Sequence, residues 1–475
     1  MESDSDIPEA IESNDVKQFL DETAAAVQGF YTDAVDPVSN RFAFARRQNA
    51  GEISGPPVVL ILGNHSSGKS TFINHLLGRE IQKTGLAPTD DGFTILAWGD
   101  ADDDRTGPGL VNNPELPYTG LRHFGEHLVR HVRMKRRPIE LLRHVILIDS
   151  PGMIDEAKAE SGRGFDFPAV VQWFAERADL VLIFFDPDKP GTTGETLQIF
   201  NSSLRGIEHK LLIVMNKMDQ FRSLHDFARA YGALCWNLAK VITRKDLPMI
   251  FNTFVPVPNA PEPALPVHDF EAAREELVRE VMRAPARRVD NMLTQVQTFS
   301  ERLRLHVRVT DAAAGELRSY RDRLRTRSLL LLLLAGGGAA FTYSADGPPE
   351  LLIALAATAA AIVIAAFYGV SAAARRRERQ LLERLPDYVE QLYSRELLER
   401  ERYDDLFELW DQIADRTRRT ARELGLLSFP KLRSRELGRL DDLIENKIPA
   451  MRSELHKKLT EARKTREAAD GADAG

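Results

Sequence analysis

Eight consecutive residues, Gly63-Asn64-His65-Ser66-Ser67-Gly68-Lys69-Ser70, fit the pattern G-x-x-x-x-G-K-[ST]. The chemistry this pattern serves is the gripping of a phosphate chain. Glycines let successive backbone N–H groups close around phosphate oxygens, and the start of the following helix adds a favourable field. In that arrangement Lys69 reaches the two outer phosphates and the Ser70 hydroxyl ligates Mg²⁺. Gly63, Ser67, Gly68 and Thr71 complete the cradle. A glycine-rich segment can be no more than a turn. Here, however, all eight positions match, an apolar run (Val58–Leu62) precedes them, and a helical one (about Thr71–Leu77) follows.

Two further elements arrive in order. Asp149-Ser150-Pro151-Gly152 follows the apolar run Val145–Ile148 as a D-x-x-G, with Asp149 suited to hold Mg²⁺ through water and the Gly152 N–H to meet the terminal phosphate. Asn216-Lys217-Met218-Asp219 follows Leu211–Met215 as an N-K-x-D, whose carboxylate can accept two hydrogen bonds from a guanine edge. Either tetrapeptide alone could be a turn. Three motifs, each at the carboxyl end of a strand, point to a GTPase-type nucleotide site. Between the first two lies a switch region, Ala87–Thr94, from which a Mg²⁺-binding threonine is needed; Thr89 is the choice and Thr94 its competitor. The residue after D-x-x-G is Met153, which cannot orient a water as a glutamine would. His65 and Ser66 are then the candidates for holding the attacking water, beside Lys69 and Thr89 in the catalytic set. Slow basal turnover is expected, accelerated when a second molecule stiffens the switches.

The elements that must position these groups follow from hydrophobic patterning. Short apolar runs at Val58–Leu62, Phe93–Ala97, Val145–Ile148, Leu180–Phe185, Leu211–Met215 and Met249–Val255 alternate with helical stretches. Strands apolar throughout indicate a mostly parallel sheet covered on both faces. From about His268 onward only long charged amphipathic helices remain, apart from two runs almost free of charge, Leu329–Ser344 and Leu351–Ala374. Turn residues Ala345–Glu350 part those runs, and arginines flank them: Arg318, Arg321, Arg323, Arg325 and Arg327 before, Arg375, Arg376, Arg377 and Arg379 after. Lengths near the ~20 residues that span a bilayer, with arginines on both outer flanks, predict a two-helix transmembrane hairpin with both termini and the nucleotide domain cytoplasmic. The arginines could equally stop the helices at the interface or attract anionic lipid.

The predicted fold class is therefore an α/β P-loop GTPase-like domain, a long all-α helical stalk and a two-helix transmembrane hairpin. The expected boundaries are an N-terminal helical segment packing with the stalk (1–50), the nucleotide domain (51–265), the first stalk part (266–327), the hairpin (328–376), the returning stalk (377–462) and a disordered tail (463–475). The 475 residues suffice for two or three domains, and 43% hydrophobic with 28% charged residues describe a folded chain. A net charge of −7 gives no reason to expect nucleic acid as a partner, and the single cysteine, Cys235, excludes an internal disulfide framework. The acidic, polar stretch Met1–Ala10 does not read as a signal peptide.

Beyond the motifs, Ser161–Val170 running on through Trp173–Leu180 resembles the EH-domain-containing (EHD) proteins, dynamin-related ATPases that remodel membranes. Tyr231–Lys240 is similar to a second stretch of that family, and so is Phe429-Pro430-Lys431-Leu432. The likeness covers roughly residues 10–325 and resumes more weakly at about 380–455; sarcalumenin shares the same kind of domain. The resemblance implies a dynamin-type nucleotide domain, a helical domain built from both flanks, a homodimer and higher assemblies on curved membranes. Trp236 matches a tryptophan at the family's dimer interface, with a core aromatic as the competing reading. Three departures stand out. No EH domain follows the helical part in this sequence, so that module's peptide recognition is not implied. Gln220 stands after N-K-x-D where the family has a methionine, which leaves GTP and ATP both open. An apolar hairpin lies where the family's membrane-touching tip would be. The expected function is a membrane-anchored, Mg²⁺-dependent nucleoside triphosphatase that couples dimerisation to membrane remodelling. A nucleotide-gated scaffold with negligible hydrolysis and a mitofusin-like fusion GTPase are the alternatives.

Overall fold

The computed structural model describes residues 14–45, 55–83, 92–153, 164–187, 194–241, 248–257, 263–344, 348–393 and 400–473. Thr89 and the rest of its predicted switch up to Asp91 lie outside the described residues, as does Ser161–Arg163 of the EHD-like stretch. By its contacts the chain divides into two compact units, 1–25 with 48–292 and 456–475, and 26–47 with 293–455.

A helix, α1 (Asn14–Phe30), precedes the α/β part. There, eight strands form one sheet: β1 (Val58–Gly63), β2 (Phe93–Trp98), β3 (Asp103–Thr106), β4 (Val132–Arg137), β5 (Ile146–Asp149), β6 (Leu180–Phe185), β7 (Leu211–Met215) and β8 (Ile250–Asn252). Their order is β3-β4-β2-β5-β1-β6-β7-β8. The neighbours of β1 and those of β7 pair in parallel, and only β2–β5 and β3–β4 are antiparallel. The period-2 alternation of a strand explains why the central runs are apolar throughout. Leu60, Leu62, Val181 and Ile183 enter one core, while Val59, Ile61, Leu182 and Phe184 enter the other. Two strands escaped the sequence reading. β3 (Asp-Asp-Arg-Thr) is polar because it is the sheet's edge, and β4 (Val-Arg-Met-Lys-Arg-Arg) beside it buries only Val132 and Met134.

Three helices matter for the site and its surroundings. α2 (Lys69–Leu77) runs from Gly68, which is left-handed at φ 92°. α3 (Phe167–Arg177) is capped by Asp166, whose Oδ1 accepts from the Ala169 N–H at 3.0 Å. α4 (Leu224–Leu238) buries Ala230, Leu234 and Leu238 at helical spacing and leaves Trp236 69% exposed. Trp236 is therefore not a core aromatic in this chain.

The second unit is helical. Its principal elements are α5 (Ala284–Ser344), which begins in the first unit, α6 (Pro349–Ile364), α7 (Val370–Glu383) and α8 (Arg400–Leu424). Phe42 stacks on Phe429 with ring centroids 6.3 Å apart, and Phe44 on His306 at 4.7 Å. Arg41 pairs with Glu436, and Arg318 donates to the Phe429 carbonyl at 2.7 Å. His306 is fully buried, with Nε2 3.1 Å from the Phe42 carbonyl oxygen and Nδ1 3.0 Å from Thr417 Oγ1. A carbonyl only accepts, so Nε2 carries the proton and Nδ1 accepts from the threonine.

The expected transmembrane hairpin over 328–376 is overturned, and with it the multi-pass membrane localisation. Among the described residues no helix is long and apolar enough to cross a membrane. The first apolar run is only the end of the charged 61-residue α5. The second begins as α6, which has 16 residues before the backbone widens into a π-helical turn at Ala365–Gly369. Sixteen residues rise about 24 Å, short of a hydrocarbon core of roughly 30 Å.

Candidate functional site

The P-loop hangs between the ends of β1 and α2. The Lys69 ammonium is buried and donates to the Gly63 carbonyl at 2.9 Å and the Asn64 carbonyl at 3.0 Å. It thus lies inside the loop, under the backbone that would encircle phosphate. Ser66 adopts φ 64°, a left-handed conformation unusual for a side chain, and its Oγ lies 2.8 Å from His65 Nδ1. The helix cap Gly68 has no room for a side chain: a Cβ would stand 2.1 Å from Asn216 Nδ2. That same amide donates to the Ser67 carbonyl at 3.0 Å. The N-K-x-D asparagine therefore braces the phosphate loop as well as bordering the base position. Ser67 Oγ, Asn64 Nδ2 and Asn216 Oδ1 are buried with no hydrogen-bond partner among the described residues, which leaves donors and an acceptor for a ligand.

The D-x-x-G segment is zipped onto the loop. The Met153 N–H donates to the Gly63 carbonyl at 3.1 Å, and the His65 N–H to the Met153 carbonyl at 3.2 Å. Gly152 passes so close that a Cβ would stand 2.7 Å from His65 Cα. Met153 itself is 2% exposed, so its side chain is a packing group. Thr196 Oγ1 donates to Asn64 Oδ1 at 3.0 Å and lies 3.7 Å from Met153 Sδ.

At the opposite end of the loop Ser70 Oγ donates to Asp149 Oδ2 at 3.3 Å. A hydroxyl and a carboxylate are hard oxygen donors of the kind Mg²⁺ takes, in a shell completed by substrate phosphates and water. Among the described residues no group of three or more His, Cys, Asp or Glu side chains forms a protein-only cage. Ser70 and Asp149 fit a cation held together with a bound phosphate. Thr94, the competing switch threonine, is buried in β2 and pairs with Asp149 in the sheet. Thr71 follows in the first turn of α2.

The base-side residues come together at the end of β7. Lys217 takes φ 61°, and its ammonium meets the buried Asp186 carboxylate at 2.8 Å. Asp219 is half-buried on a short 3₁₀ turn, Met218–Gln220; burial pushes its carboxyl above the usual aspartate range, tempered by its own backbone N–H and by Lys217. Such a group gains from N–H donors on a base edge. Gln220 beside it is exposed. The sequence reading missed Asp186, Thr196 and Gln82. Asp186 had a signal, since it directly follows the apolar strand β6; the other two stand in no recognisable pattern.

Residues 59–218 match the family described as "Dynamin family". Human EH domain-containing protein 2 is 30% identical over 306 residues, covering 62% of this chain and 55% of that protein. The mouse protein of that name is 33% identical over 262 residues, covering 54% and 47%. Over its nucleotide domain the chain is similar to the dynamin family and to the EH domain-containing proteins. An Arabidopsis thaliana EH domain-containing protein 2 extends the likeness beyond animals, at 30% over 276 residues, 56% of this chain and 50% of that one. The chain spans about half the length of these relatives. The dynamin-family match ends at Met218, so it takes in the P-loop, D-x-x-G and the first residues of N-K-x-D.

Proposed function

We propose that this chain is a Mg²⁺-dependent nucleoside triphosphatase, for GTP or ATP, that couples nucleotide-driven self-association to the remodelling of a lipid bilayer. The observation that carries the catalytic part is the loop itself: Lys69 enclosed by it, Asn216 bracing it, and Ser70 paired with Asp149 at its edge. When bound, Mg²⁺ would supply charge for the β- and γ-phosphates. The chain's own groups do the rest. Lys69 neutralises the outer phosphates, and the Gly152 N–H and the loop N–H groups hold the γ-oxygens. Asp219 and Asn216 fix the base, and Thr89 closes the site from its switch. Met153 is buried, so the attacking water falls to the half-buried His65 and Ser66 of the loop.

Self-association is supported by Trp236, whose indole is exposed beside Lys240, with the ammonium 5.6 Å from the ring centroid. Lipid contact is supported by a helical surface rather than a span. Leu334 is 72% and Phe341 74% exposed on α5, and Ile353 69% on α6, far more apolar exposure than single scattered residues. Arg375, Arg376 and Arg379 follow in α7 and suit anionic headgroups.

The test is phosphate release by the full chain, with and without vesicles containing phosphatidylserine. Severalfold acceleration by the anionic vesicles is expected, with little effect of neutral ones. Release indifferent to vesicles would remove the membrane coupling, and release no faster than that of Lys69→Ala would leave a nucleotide-gated scaffold.

A further inference from the structure

The corner formed by Ser70 and Asp149 is held from behind by a group outside all three motifs. Gln82 is 5% exposed, and its Nε2 donates to Asp149 Oδ2 at 2.7 Å, closer than Ser70 does. Its Oε1 accepts from the Lys135 ammonium of β4 at 2.7 Å, and that ammonium also donates to the Ile81 carbonyl at 2.9 Å. These partners fix the sense of the amide. An ammonium only donates and an ionised carboxylate only accepts, so the oxygen faces Lys135 and the nitrogen faces Asp149.

The backbone at Gln82 is held as firmly. Asn74 Oδ1 accepts from the N–H groups of Ile81 and Gln82, each at 2.9 Å, and Asn74 Nδ2 donates to the Gln82 carbonyl at 2.8 Å. Asn74 stands one turn beyond Ser70 on α2. The helix that carries the hydroxyl of the cation corner therefore also carries the clamp on the residue that steers the carboxylate.

We propose that Gln82 is a positioning residue for the divalent cation. Its amide, polarised by Lys135, grips one oxygen of Asp149 and so fixes the carboxylate's rotation toward the cation's water shell. The Mg²⁺ concentration needed for nucleotide binding is set in part by this contact. Partners of this kind, one bond behind a metal's ligands, typically carry about 10–100-fold in metal affinity. The inference rests on the nucleotide-binding reading above.

The experiment is a Mg²⁺ titration of the affinity for fluorescently labelled GTP and ATP, with a parallel measurement in EDTA. It uses the full chain as wild type, Gln82→Leu, Gln82→Glu, Lys135→Arg and Lys69→Ala. Gln82→Leu is expected to raise the half-saturating Mg²⁺ concentration by about 10-fold, leaving the EDTA affinity unchanged. Gln82→Glu keeps the volume and the Lys135 contact but sets a carboxylate against Asp149, so it should shift the midpoint the same way and decides the matter if the leucine variant does not fold. Lys135→Arg retains a cationic donor and should stay near wild type. An unmoved Mg²⁺ midpoint in both Gln82 variants overturns the proposal. So does an equal loss of affinity in EDTA, since Gln82 would then only support the loop. A wild type that binds neither nucleotide, or a Lys69→Ala that binds as well as wild type, brings down the nucleotide reading itself and this inference with it.

Discussion

Lys69→Ala is expected to weaken nucleoside triphosphate binding on the order of 10³-fold, taking about 4 kcal/mol for one unit charge pair at 4 Å in a partly screened site. The ammonium is already inside the loop, with donors aimed at Gly63 and Asn64 carbonyls, so a phosphate meets a charge that needs little reorganisation. The cost to folding should be smaller. Alanine leaves those two carbonyls without this donor, at roughly 1–3 kcal/mol, but removes a buried charge at the same time. The informative pattern is therefore a collapse of affinity with a small drop in Tm, read by calorimetric titration and thermal denaturation. A variant that melts far below wild type would instead mark Lys69 as a structural cation.

The second large effect concerns the helical unit and pH. His306 is buried against Phe44, between Phe42 and Thr417, and Arg416 lies over the Phe44 ring at 4.1 Å. Burial pulls its pKa down to about 4, opposed by the Phe42 carbonyl and aided by the Arg416 charge. In the unfolded chain the ordinary value is near 6.5. The neutral ring is favoured by the fold, so its full contribution is present above the unfolded value. As pH falls from about 6.5 toward 4 the unfolded state takes up the proton first, and stability drops by on the order of 3 kcal/mol. His306→Gln keeps a donor for the Phe42 carbonyl but does not titrate. Urea unfolding followed by helical circular dichroism should show wild type losing more between pH 7 and pH 4.5 than this variant does. Parallel pH slopes would mean that His306 does not govern the acid limb.

The sequence made the site legible where chemistry demands particular residues in a row. Gly68 must be glycine because Asn216 occupies the space of a Cβ, and such demands leave a pattern. The central strands were legible for a related reason: burial on both faces leaves no polar positions in Leu180–Phe185 or Leu211–Met215. β3 and β4 were not, because strands at and next to the sheet's edge are only partly buried, and charges such as Arg136 and Arg137 break the apolar run. Gln82 left no trace for a different reason. Its role depends on a partner 67 residues away, Asp149, and on a lysine of a neighbouring strand, and neither is encoded locally.

The apolar stretch between Leu329 and Ala374 was legible in composition and misread in consequence. Counting apolar residues says nothing about where a helix bends or widens. The π-helical turn at Ala365–Gly369 divides the second run, and the first is the tip of a helix whose earlier part is amphipathic and rich in charge. What remains is an exposed apolar surface, which a bilayer could cover without being crossed.

The central claim is that Gly63–Ser70, Asp149 and Asn216–Asp219 together form one nucleotide site. Calorimetric titration of the purified wild-type chain with GTP and then ATP, in excess Mg²⁺, tests it most directly. One saturable site per chain for at least one of the two, weakened on adding EDTA and lost in Lys69→Ala, is the result expected. Heats indistinguishable from dilution for both nucleotides would contradict it.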